Sequence, residues 1–65
     1  MNEKALKKIR LIRLSKEISQ EFIAEELGVS QSHYSKMEKG GRNINVSQLE
    51  KIAKVLNVTI QELFN

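Results

Sequence analysis

The chain has no cysteine, no proline and no tryptophan, and its aromatic content stops at two phenylalanines and one tyrosine. Without cysteine there are no disulfides and no thiolate metal ligands, so stability must come from helix packing, capping and association. The single histidine, His33, has no clustered partner, which leaves no basis for a metal site or any other cofactor. No apolar run approaches the length of a membrane span, and the first residues lack the hydrophobic segment of a secretion signal, so a cytoplasmic protein is expected. A catalytic triad, a metal cluster and a phosphate-cradling glycine loop between strand and helix are all missing, and the expectation is that the protein is not an enzyme. What remains is 65 residues, 40% of them hydrophobic, mostly Ile, Leu and Val. That suits one small all-α domain spanning residues 1–65.

Charge is uneven along the chain. The net value is only +3, yet Lys4 to Lys16 hold six bases and no acid, and Glu17 to Glu26 hold four acids and no base. Lys36, Lys39 and Arg42 form a second basic cluster around Glu38. Such placement suits a surface that meets a polyanion on one side, although solvated helix faces give the same pattern.

The stretch from Ser19 to Lys39, SQEFIAEELGVSQSHYSKMEK, organises the rest. Gly28 follows an apolar periodic run, where a helix needs a residue that tolerates the left-handed conformation, and Ser30 then offers a hydroxyl to the free amides of a second helix. Ser19 caps the first helix in the same way. Phe22, Ile23, Leu27, Tyr34 and Met37 are expected to supply apolar contacts, with small Ala24 allowing close approach. Two helices joined by so short a turn cannot lie flat together, so the second projects its first residues outward in helix-turn-helix geometry. Its outer face carries Gln31, Ser32, Ser35 and Lys36. Glutamine can bond adenine in pairs, lysine can donate to guanine, and serine hydroxyls adapt to a base or a phosphate.

Gln20, Ala24, Gly28, Val29, Ser30 and Glu38, with apolar Ile23, Leu27, Tyr34 and Met37 at their spacings, resemble the Xre or Cro and phage-repressor family. Arg13 upstream, and the GGRN loop with LEKIAKVLNVTIQELF downstream, extend the resemblance over nearly the whole chain. The family implies a compact five-helix, lambda-repressor-like domain that binds double-stranded DNA, with the helix from residue 31 to 39 in the major groove. It implies that Gln20 touches the DNA backbone, that the loop at Gly41, Arg42 and Asn43 grips phosphate together with Lys39, and that Arg13 pairs with Glu38. His33 is expected near phosphate. Tyr34 stands where the family is usually aliphatic; its ring is expected in the core with its hydroxyl on water or a polar partner, and a DNA-facing Tyr34 would rotate the reading face. Ile44 stands where the family often has proline, and either a less rigid loop or an Ile44 directed into a core or toward a partner is expected.

The flanking segments complete the helices. Met1 to Glu3 carry no structural signal. A first helix starts near Lys4, with Ala5, Leu6, Ile9 and Ile12 as its core stripe and Arg13 at the edge. Leu11 and Leu14 lie off that stripe, either partly buried under neighbours or available to a partner. Ser15 to Ile18 form a connection. Asn45 with Gln48, and Thr59 with Glu62, fit reciprocal caps for two further helices, the first carrying Val46, Leu49, Ile52, Ala53 and Leu56 on one face and ending at Asn57. The last, with Ile60, Leu63 and Phe64, either closes the core or forms a dimer edge. The leading expectation is a sequence-specific transcriptional regulator, dimeric on a palindromic operator. The alternative is an antitoxin or other interaction module using Leu11, Leu14 or Phe64.

Overall fold

A computed structural model describes residues 3–64, and these form α1 (Glu3–Ser15), α2 (Gln20–Leu27), α3 (Gln31–Glu38), α4 (Val46–Leu56) and α5 (Ile60–Leu63), with no strand among them. Met1 and Asn2 lie outside the described residues, and α1 opens one residue before the expected start. Four helices begin on the capping residue that their sequence offers. Ser19 accepts from the Phe22 amide and Ser30 from the His33 amide, while Asn45 with Gln48 and Thr59 with Glu62 exchange bonds in both directions. Each cap satisfies an amide the helix cannot use and contributes about 1 kcal/mol.

The helix ends share one device. After each of α1 to α4, two amides fold back onto carbonyls of the last turn: Ile18 to Arg13, Val29 to Ala24, Gly41 to Lys36 and Val58 to Ala53 are the bonds of each pair that span more residues. This motif requires a left-handed residue at the turn. Gly28 at φ 73, Gly40 at φ 91 and Asn57 at φ 58 suit it, but α1 uses Glu17 at φ 56. A left-handed side-chain residue costs about 1 to 2 kcal/mol, against about 0.5 to 1 kcal/mol of extra chain entropy for glycine. Glu17→Gly is therefore expected to raise the thermal midpoint, by roughly 0.5 to 1 kcal/mol in stability. An unchanged or lower midpoint would show that Glu17 is unstrained.

Tyr34, Ile9, Ile23, Met37, Ile52, Leu56 and Leu63 are fully buried, so every helix sends at least one side chain to a single core. Ile18, Leu27, Ile44, Leu49, Val58 and Ile60 pack around it, which places Ile44 in the core shell. Two expected core residues are not there. Phe22 is 50% exposed and Val46 71%. The buried side of α2 is Ile23, Ala24 and Leu27, and Phe22 sits about 100° behind Ile23 around the helix. Its ring instead lines a shallow groove with Lys51, Lys54 and Val55. Val46 shares the apolar face of α4 but opens that helix, a turn beyond Leu49, where no neighbour covers it. Leu11 and Leu14 are 59% and 52% exposed, so packing within the chain covers less than half of either side chain.

Candidate nucleic-acid interface

The sequence gives α3 two different faces, and burial separates them. Tyr34 and Met37 are fully buried, whereas Gln31, Ser32 and Lys36 are exposed and Ser35 is half-buried. At about 100° per residue, positions 31, 32, 35, 36 and 39 fall within about 140° of arc, opposite positions 34 and 37. The helix therefore presents the expected reading face outward, starting from its free N-terminal turn. His33 falls about 60° beyond that arc, toward the core side, and is half-buried. Lys39, expected inside the helix, is its C-cap residue.

Behind this face, a buried polar cluster locks α3 to the first two helices. Arg13 Nε donates to Glu38 Oε2 at 3.0 Å and Arg13 Nη2 to Glu38 Oε1 at 3.0 Å, while Nη1 donates to the Ile18 carbonyl at 2.9 Å. The fork thus holds the end of α3, the end of α1 and the approach to α2 at once. Gln20 adds a third bond to the carboxylate, from Nε2 to Oε1 at 3.3 Å. Burial alone would raise the Glu38 carboxyl, but its hydrogen bonds and the Arg13 charge outweigh burial and hold it below its ordinary range. This arrangement gives the pair a structural role.

Tyr34 fills the core as expected. Its hydroxyl oxygen is buried with nothing in hydrogen-bond geometry. Burial first, and the nearby Glu38 carboxylate second, push the phenol far above its usual range.

Gln20 occupies the first position of α2, half-buried. One amide hydrogen donates to Glu38, which leaves its carbonyl oxygen and second hydrogen for an outside acceptor or donor. The sequence reading missed the bond to Glu38, since nothing in local spacing joins positions 20 and 38. The loop after α3 is exposed from Lys39 to Asn43. Within it the Gly41 amide is already committed, donating to the Lys36 carbonyl at 2.7 Å. The amides of Arg42 and Asn43 make no such bond among the described residues. Gly41 thus shapes the turn, and the amides open to a phosphate are those of the next two residues. No group of three or more potential metal ligands occurs among the described residues.

Residues 9–63 match the helix-turn-helix family. The chain belongs to it. This helix-turn-helix protein is similar to control protein C.MunI of Mycoplasma sp, 38% identical over 59 residues that cover 89% of this chain and 80% of that protein. It is similar to control protein C.BamHI of Bacillus amyloliquefaciens, 41% identical over 59 residues covering 89% and 73% of the two chains. Among solved structures, the restriction-modification controller protein C.AhdI from Aeromonas hydrophila superposes with a TM-score of 0.83 at 33% identity, over 94% of this chain and 92% of that one. The helix-turn-helix unit is a DNA-binding device, and the protein is a sequence-specific DNA-binding regulator of transcription. No helix among its described residues is long and apolar enough to cross a membrane.

Proposed function

We propose that residues 1–65 form one domain that binds a palindromic operator as a homodimer in the cytoplasm, with α3 in the major groove and no catalytic step. The observation that carries the reading is the division of α3 into a core side at Tyr34 and Met37 and a polar outer side at Gln31, Ser32, Ser35 and Lys36. The outer side reads base edges; Gln20, His33, Lys39, Arg42 and Asn43 position the protein on phosphates, with Gly41 shaping the loop. A second copy reads the other half-site, about 34 Å along the duplex. Similarity to three control proteins along most of the chain supports control of a restriction-modification system. Exposed Leu11, Leu14 and Phe64 support a second reading, in which the same fold covers a protein partner. If the reading of α3 holds, Gln31→Ala costs about 1 to 3 kcal/mol of discrimination at one operator position in each half-site. Competition binding against single-base operator variants measures this. Equal weakening on operator and random duplex would make Gln31 a backbone contact instead.

A further inference from the structure

α1 carries Lys4, Lys7 and Arg10 three residues apart, all exposed. On a helix this spacing sets them along one slanting strip about 9 Å long. The strip borders a groove of about 650 Å³ that Lys39 and Gln20 also line. Arg13 and Glu38 lie in the same groove, already bonded to each other. None of Lys4, Lys7, Arg10 and Lys39 is paired with a carboxylate among the described residues. Glu3 is the remaining acid of the lining. With Arg13 and Glu38 cancelling each other, Lys4, Lys7, Arg10 and Lys39 face one acid, Glu3, and the groove is cationic.

Resting on the proposed binding of α3, the geometry points to a second phosphate-binding track on α1: Lys4, Lys7 and Arg10 grip the sugar-phosphate backbone at the edge of the same major groove. Two observations favour DNA over an acidic protein as the occupant. The groove is continuous with Gln20 and Lys39, which belong to the proposed phosphate set. Phosphates recur about every 3.4 Å of axis along a strand, so a strip about 9 Å long matches two or three of them. The track contributes affinity and no sequence preference, because no base edge faces a backbone contact.

The test compares two triple variants that remove the same charge. One is Lys4→Gln with Lys7→Gln and Arg10→Gln; the other is Lys16→Gln with Lys51→Gln and Lys54→Gln, at exposed positions outside the groove. Binding to an operator duplex and to a random duplex is measured across a salt series. Each lost phosphate contact lowers the slope of log affinity against log salt by about 0.9, so the groove variant, losing two or three contacts in each of two half-sites, is expected to lose about 4 to 5. It weakens on both duplexes alike and selects the same motif as the unmodified protein, while the control variant keeps the original slope. If the groove variant fails to fold, as judged by its helical circular dichroism, Lys7→Gln and Arg10→Gln alone should each lose about 1.8, one contact in each half-site. Equal slopes for the groove and control variants would overturn the track and leave the reading by α3 intact. If the unmodified protein binds no duplex, both fall together.

Discussion

Glu38→Ala is expected to destabilise the protein by about 3 to 5 kcal/mol, because it leaves the buried Arg13 guanidinium without its counter-charge. That is a large share of what a domain of this size holds, at about 0.05 to 0.15 kcal/mol per residue. Glu38 is bound at both oxygens by Arg13 and at one by Gln20, so the loss should free α3 from α1 and α2 together. Urea denaturation at neutral pH measures it, and an unchanged midpoint would reduce the pair to surface decoration. The same pair sets an acid limb. Since the folded carboxyl titrates below its ordinary value of 4.5, its contribution is present above that value and is lost as pH falls through the folded one. Tyr34 acts at the other end. Its folded phenol titrates above the ordinary 10.0, so stability declines as pH rises past that value and the unfolded chain ionises first.

Binding to operator DNA is expected to weaken steeply with salt. About five phosphates neutralised per half-site make about ten for a dimer, with a slope near 0.9 for each. Raising salt from about 50 to 200 mM would then lower affinity by roughly 10³- to 10⁵-fold. Fluorescence anisotropy over that range gives the slope directly. A shallow dependence would mean that Gln20, the loop at Arg42 and Asn43, and the bases around them do not face the phosphate backbone.

Much of this fold is legible in the sequence because its punctuation is local. Ser19, Ser30, Asn45 and Thr59 cap the helices they precede, and Gly28 and Asn57 end helices in the left-handed conformation their side chains tolerate. The outer face of α3 follows from the spacing of Tyr34 and Met37 alone. Features that depend on distant packing were less legible. Phe22 is apolar and next to Ile23, yet the packing of α2 against α3 and α4 decides which of the two enters the core. Glu17 bears no sign of a left-handed turn, because the chain forces it there to bring Ile18 back toward Arg13. The Arg13–Glu38 pair was expected from family resemblance rather than from spacing, and the addition of Gln20 to it needed the fold. The phosphate role of Gly41 comes from the family resemblance alone, and that its amide closes α3 is visible only in the fold.

The most direct test of base reading by α3 is selection from a random duplex pool near physiological salt, where non-specific counterion-driven binding is suppressed. An enriched inverted repeat with half-sites about one helical turn apart is the expected result. A folded protein that enriches no motif would contradict it.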